Sequence, residues 1–194
     1  MSLRDRNIST WPTLGYNFWG ITKCASTTVK THLYEVVTGS VYKETKHTRI
    51  HGVVDYITSE QALNNGLLNF AIVRHPEDRF FSMYNDLVLS RPKRGRKAGI
   101  EENLSVDQFI SFLETQDLHN CDVHFRTQSS FIPETGLLII DTKYLENWPL
   151  TIPPVRMRKH TSKVKTISIL TQEQKDRVYN LYQEDYENLG FYLK

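Results

Sequence analysis

Ile21–Leu33 reads ITKCASTTVKTHL, a run that begins like a nucleotide-binding loop at the mouth of a sheet and lacks the glycines such a loop is expected to carry. On its N-terminal side Asn17–Thr22 (NFWGIT) reads as a short strand. From Ser26 to Val37 the apolar residues Val29, Leu33, Val36 and Val37 follow helical spacing, with Lys23 in the joining loop. A loop that opens a helix gathers unpaired backbone N–H groups and the positive end of the helix dipole, which together cradle phosphate. Lys23 adds a charge, and Ser26, Thr27 and Thr28 add hydroxyl donors. A kinase-type loop requires G-x-x-x-x-G-K-[ST] with groups that position Mg²⁺. Here the lysine opens the loop and no GK follows, so the stretch predicts phosphate binding without metal-dependent phosphoryl transfer. Alone it is a weak signal, because small polar residues before a helix are often only a cap.

The rest of the chain repeats the alternation of strand and helix. Arg49–Val54 reads as a second strand, and T-S-E-Q at Thr58–Gln61 is a capping box for a short helix ended by Gly66. Leu67–Val73 (LLNFAIV) is a nearly continuous apolar run of the kind parallel sheets bury. In RHPEDRFFSMYNDLVL, which follows it, Pro76 suits the first helical turn and Glu77 and Asp78 suit the positive end of the dipole. Phe80, Phe81, Tyr84, Leu87 and Val88 supply the apolar face of that helix. Arg91–Lys97 (RPKRGRK) reads as part of a basic exposed loop over 91–103. Ser105–Gln108 opens a helix to about Glu114, Leu137–Ile140 is another buried strand, and Trp148–Pro154 is a proline-broken loop. A last helix runs from Thr171 to Gly190. The pattern predicts an α/β fold: one three-layer, P-loop-like domain over 1–194, with a mostly parallel central sheet flanked by helices and residues 1–16 as an N-terminal extension. Ligands of such sheets bind beyond the carboxyl ends of the strands.

Bulk properties exclude several classes. A net charge of +2 is too small to argue for nucleic acid, and Cys24 and Cys121 are only two thiols, too few for a disulfide framework or a cysteine-based zinc site. No apolar run near the N-terminus is long enough for a signal peptide or a membrane span, so a soluble, cytoplasmic protein is expected.

A second motif sharpens the first. In V-R-H-P-E-D-R-F-F-S-M-Y, Val73–Tyr84, Arg74 ends a buried strand and Ser82 lies two helical turns on, so both could bracket one anion. A guanidinium suits phosphate through paired, charge-assisted hydrogen bonds. Arg79 could do likewise, although an arginine there is as often a structural partner. Two anion sites on neighbouring strands imply a nucleotide phosphorylated at both ends of its ribose.

These two segments, K-C-A-S-T-T-V-K and V-R-H-P-E-D-R-F-F-S-M-Y, resemble the 5′- and 3′-phosphosulfate motifs of sulfotransferases that use 3′-phosphoadenylyl sulfate (PAPS). The likeness is to the Golgi carbohydrate sulfotransferases, including the heparan sulfate 2-O-sulfotransferase type, which carry K-T-A-S-T and I-R-D-P-I-E-R-L-V-S-Y-Y at these places. R-K-H-T-S-K at Arg158–Lys163 is similar to a stretch that closes over the cofactor in the 2-O enzymes, and Tyr182–Phe191 resembles the family's terminal motif. The resemblance implies that Lys23, Ala25, Ser26, Thr27 and Thr28 surround the 5′-phosphosulfate and that Arg74 and Ser82 hold the 3′-phosphate. It further implies cofactor contacts from Arg158, Lys159, Thr161 and Lys163. His75 replaces the commoner Asp of the R-D-P triplet.

Sulfuryl transfer needs an in-line hydroxyl, a group to take its proton and positive charge at the leaving phosphate. Lys23 is assigned the charge. His51, in R-I-H-G-V-V-D-Y, is the first candidate for the base; it resembles the first histidine of the family's H-G-H, with Val53 in place of the second. His124, in D-V-H-F-R-T-Q, is the alternative base. Arg126, His160 and the basic loop could face an anionic acceptor such as a uronate or sulfated glycan, while the three tryptophans are more in keeping with packing than with sugar stacking. The reading is a PAPS-dependent enzyme with no metal, PAPS as donor, 3′-phosphoadenosine 5′-phosphate (PAP) as product and a carbohydrate or other hydroxyl-bearing acceptor. The rival readings are a nucleotide-binding P-loop-like protein without sulfotransfer activity and a small-molecule kinase.

Overall fold

The computed structural model describes residues 7–43, 49–153, 155 and 169–190. Where the length suggests one domain, the chain divides into two compact units: Met1–Val73 with Phe131–Arg158, and Arg74–Ser130 with Lys159–Lys194.

The first unit holds the sheet. Its strands are β1 (Ile8–Trp11), β2 (Tyr16–Trp19), β3 (Leu68–Val73) and β4 (Leu138–Asp141), in that spatial order. β1 and β2 are antiparallel; β2, β3 and β4 are parallel. β1 was assigned to an N-terminal extension, but it folds back through a turn of 3₁₀ helix at Pro12–Leu14, closed by Gly15 at φ +80°. Helices cover both faces. Phe18, Phe70 and Ile72 bury one face against Val29 and Leu33 of α1 (Ser26–Thr38), with Trp148 edge-on to Phe70 at 6.0 Å. The other face carries Asn17 and Asn69, whose amides both donate to the Ala62 carbonyl of α2 (Ser59–Asn64), at 3.1 and 3.2 Å. The expected Thr58–Gln61 capping box forms in full at the start of α2.

One predicted strand is absent. Arg49–Val54 contains a 3₁₀ turn, Ile50–Gly52, closed by the bonds Gly52 N to Arg49 O and Val53 N to Ile50 O. The extended pairing falls just after it, where Thr10 N donates to Asp55 O, Ile57 N donates to Ile8 O, and Tyr56 bridges to Ser9. Val53 and Val54 look like strand residues by type, but Val53 is exposed on the turn.

The second unit is helical. It contains α3 (Pro76–Met83), α4 (Pro92–Lys97), α5 (Val106–Glu114), α6 (Gln172–Leu181) and α7 (Gln183–Asn188). Its core joins Phe80, Leu87, Phe109, Phe125, Val178 and Tyr182. Two features depart from the sequence reading. α3 runs on as a π-helix over Tyr84–Ser90, and the basic stretch expected as a loop is α4. Its residues are mostly exposed, but Gly95 is buried against the π-helix, where a Cβ would overlap the Leu87 carbonyl oxygen. That approach pins Arg91–Lys97 down as a helix.

Candidate active site

The loop that opens on Ile21 achieves without glycine what glycine normally permits. After β2 the chain turns over Thr22–Ala25 and enters α1. Lys23 (φ +67°) and Ala25 (φ +56°) both occupy the left-handed region, which costs an L-residue roughly 1–2 kcal/mol. Strain of this kind persists where the surroundings enforce it and collects at ligand sites. Left-handed residues beside right-handed ones turn successive N–H groups to one side and form anion-binding concavities. Ala25 is also the N-cap of α1 and has no side chain to cap with, so Ser26, Thr27 and Thr28 open the helix without a side-chain cap. Their N–H groups and the positive end of the helix dipole lie at the opening turn of α1.

His51 stands at this helix start. Its Nε2 lies 3.3 Å from Thr27 Oγ1, and its Nδ1 lies 3.1 Å from the Tyr56 hydroxyl. Lys30 Nζ donates to the same hydroxyl at 3.2 Å and sits 4.7 Å from the Tyr56 ring centre. Lys30 is 2% exposed, and burial lowers its pKa to about 8; burial likewise raises Tyr56 to about 12. Four side chains thus form one line, Thr27–His51–Tyr56–Lys30, with the imidazole at the loop end. The expected second strand does not carry His51; the 3₁₀ turn does, and the pairing of Asp55–Ile57 with β1 fixes Tyr56 behind it. Val53, in place of a second histidine, contributes no ring nitrogen.

His124 occupies a different environment, in the second unit. Its Nδ1 is 2.5 Å from Asp122 Oδ1 and its Nε2 is 2.7 Å from Arg94 Nη2. The hydrogen bond from His124 is the main reason the Asp122 carboxyl lies below its ordinary range. A guanidinium only donates, so Arg94 claims the His124 Nε2 lone pair that a base would use.

Arg74 immediately follows β3. Its backbone is held by Gln128, whose Oε1 accepts from Arg74 N and whose Nε2 donates to Arg74 O, both at 2.9 Å. Gln128 is itself fixed by Asp185, which accepts from Gln128 N at 2.9 Å, from Ser129 N at 2.9 Å and from Ser129 Oγ at 3.1 Å. Ser82 lies in α3, as expected. Arg79 is structural: 1% exposed, it donates to His124 O at 3.4 Å and lies over the Tyr182 ring at 5.8 Å. His75 is the N-cap of α3 but makes no capping hydrogen bond; its ring meets Tyr186 edge-on at 5.5 Å.

The residues expected to meet an acceptor fare differently. Arg126 donates to Cys121 O at 2.7 Å and Asn120 O at 3.4 Å, holding a local turn. In and beside α4, Arg91 pairs with Asp86, Arg96 with Glu102 and Arg94 with His124. Trp11, Trp19 and Trp148 are all buried. Arg158, Lys159, His160, Thr161 and Lys163 lie outside the described residues. Among the described residues no helix is long and apolar enough to cross a membrane.

The chain matches the sulfotransferase family over residues 12–147, well over half its length, and it belongs to that family. The match takes in the Lys23 loop, His51, Arg74 and Ser82. Its reaction class is therefore sulfuryl transfer. No curated protein and no solved structure matches the chain.

Proposed function

We propose that the chain moves a sulfuryl group from PAPS to a hydroxyl of a carbohydrate-type acceptor, by direct in-line transfer. The observation that carries this reading is the Lys23 loop, with two left-handed residues, an uncapped helix start and an imidazole 3.3 Å from Thr27 Oγ1. In this reading Lys23 and the opening turn of α1 hold the 5′-phosphosulfate, while Arg74 and Ser82 hold the 3′-phosphate. His51 takes the proton of the acceptor hydroxyl as its oxygen bonds to sulfur. The bond from sulfur to the 5′-phosphate oxygen breaks, and PAP leaves with the electron pair, its new charge met by Lys23 and the helix N–H groups. The His51 proton then passes to solvent.

His51 is preferred to His124 because Arg94, which can only donate, occupies the His124 Nε2 lone pair, whereas His51 Nε2 faces a hydroxyl at the start of α1. The carbohydrate acceptor rests on the resemblance to the 2-O-sulfotransferase type. Transfer of labelled sulfate from PAPS to a panel of uronate-containing and neutral glycans tests it. Incorporation into at least one glycan that disappears in His51→Ala is expected; incorporation only into small phenols or alcohols would overturn the acceptor class.

A further inference from the structure

We infer that Asp185, on α7, is a positioning residue for nucleotide recognition: through Gln128 it sets the backbone of Arg74, and so the preference for a ligand that carries a 3′-phosphate. The inference rests on the proposed role of Arg74 and deepens it.

Asp185 lies in Tyr182–Phe191, the stretch that resembles a terminal motif of the family, and no step of the proposed transfer uses it. Its side chain is fully buried, at 0% exposure, where a carboxylate is costly unless hydrogen bonds meet it. Four donors do so. Oδ2 accepts from Gln128 N at 2.9 Å and from Gln128 Nε2 at 3.4 Å, while Oδ1 accepts from Ser129 N at 2.9 Å and from Ser129 Oγ at 3.1 Å. All four donors belong to two successive residues, so the carboxylate fixes the chain at 128–129 from 56 and 57 residues away.

Gln128 is buried as completely, and its amide can stand only one way round. As placed, Oε1 accepts from Arg74 N, and Nε2 donates to Arg74 O and to Asp185 Oδ2. Turned over, Nε2 would face the Arg74 N–H, and Oε1 would face two oxygens, the Arg74 carbonyl and the Asp185 carboxylate. A carboxylate only accepts, so Asp185 selects the orientation that holds Arg74. The next residue of α7 acts at the next position: Tyr186 meets the His75 ring edge-on at 5.5 Å. Two successive residues of α7 thus reach two successive residues where the chain leaves β3. A guanidinium reads a phosphate by direction as well as by charge. A backbone that drifts at Arg74 therefore weakens the hold on the 3′-phosphate before the hold on the rest of the nucleotide.

The test is calorimetric titration of the full chain with PAP and with AMP, on the wild type, Asp185→Ala, Asp185→Asn, Gln128→Ala and Asp185→Ala combined with Gln128→Ala. Asp185→Ala should cut the preference for PAP by about three- to tenfold and leave AMP affinity within about twofold. Asp185→Asn, which keeps the volume and one acceptor oxygen, should move the same way by less. In the Gln128→Ala background Asp185→Ala should lower the preference no further, because the path to Arg74 is already cut. An unchanged preference in every Asp185 variant that folds, or an additive loss in the combined variant, overturns the inference. Hydrogen exchange gives a second readout. The Arg74 N–H, bonded to Gln128, should exchange about tenfold faster in Asp185→Asn, while the Phe109 N–H, bonded to Ser105 in α5, should not. Equal acceleration at both sites would reduce Asp185 to a general support of the fold and overturn the inference. A wild type that binds PAP and AMP alike, with the Arg74 acceleration still seen, would leave the clamp standing and refute the proposed 3′-phosphate site instead.

Discussion

Gln128 pairs its side-chain amide with both backbone groups of Arg74, accepting from the N–H and donating to the C=O at 2.9 Å each. The chain leaving β3 is thereby fixed at the residue assigned to the 3′-phosphate, and Asp185 fixes Gln128 in turn. Gln128→Ala removes both bonds and leaves two backbone groups without their partner, which should cost about 1–3 kcal/mol. Urea unfolding should show a lower midpoint, and the preference for PAP over AMP should shrink while AMP affinity holds. An unchanged midpoint and preference would mean that the clamp positions nothing.

The two histidines should separate cleanly. His51→Ala should lower turnover by about 10²–10⁴-fold, the usual worth of a positioned base, and leave PAP affinity nearly unchanged. His124→Ala should keep most turnover and lose about 1–2 kcal/mol of stability, because Asp122 and Arg94 both lose a partner. Steady-state kinetics with thermal melts of both variants checks this. Loss of turnover in His124→Ala alone would reverse the assignment.

Much of the fold around these residues was legible in the sequence because it is local. The helix that opens at Ser26, the helix that opens at Pro76 after an apolar strand, and the helix starts capped by Thr58, Ser105 and Thr171 depend on neighbours a few residues away, and the structure has each of them. What could not be read is long-range. Lys30 looks like a solvent-facing helical lysine until the segment at Tyr56 pairs with β1 and closes over it. Gln128 and Asp185 stood inside recognisable motifs, yet Gln128 reaches Arg74 across 54 residues and Asp185 reaches Gln128 across 57. Arg91–Lys97 failed for the opposite reason: its composition says loop, while one buried glycine packed on the π-helix makes it a helix.

That glycine gives a prediction against propensity. In an ordinary helix Gly→Ala stabilises by about 1 kcal/mol. Gly95→Ala must instead push against the Leu87 carbonyl, which is backbone and cannot swing away, and should destabilise by about 1–3 kcal/mol. A thermal melt higher than wild type would contradict the packing of α4 on the π-helix.

Lys30 should also leave a mark on stability. Its pKa falls from the ordinary 10.5 to about 8 on burial, so between those values the unfolded chain holds a proton that the folded chain does not. Stability should therefore rise with pH across that window and be lowest, with respect to this group, below pH 8. The full difference is about 3 kcal/mol. Tyr56 acts in the opposite sense at higher pH, since its raised value keeps a proton in the folded chain between about 10 and 12. Unfolding free energies of Lys30→Met and wild type, compared from pH 7 to 10, should converge or cross as pH rises. A constant difference would show that Lys30 is not buried as a charge.

The central claim is that this chain recognises a nucleotide phosphorylated at both 5′ and 3′ positions, through the Lys23 loop and Arg74. Calorimetric titration with PAP and with AMP, on the wild type, Lys23→Ala and Arg74→Ala, tests it most directly. The expected result is a PAP preference of at least about tenfold, equivalent to one charge-assisted hydrogen bond of about 1.5 kcal/mol or more. Arg74→Ala should abolish that preference, and Lys23→Ala should weaken both ligands alike. Equal affinity of the wild type for PAP and AMP would contradict the account.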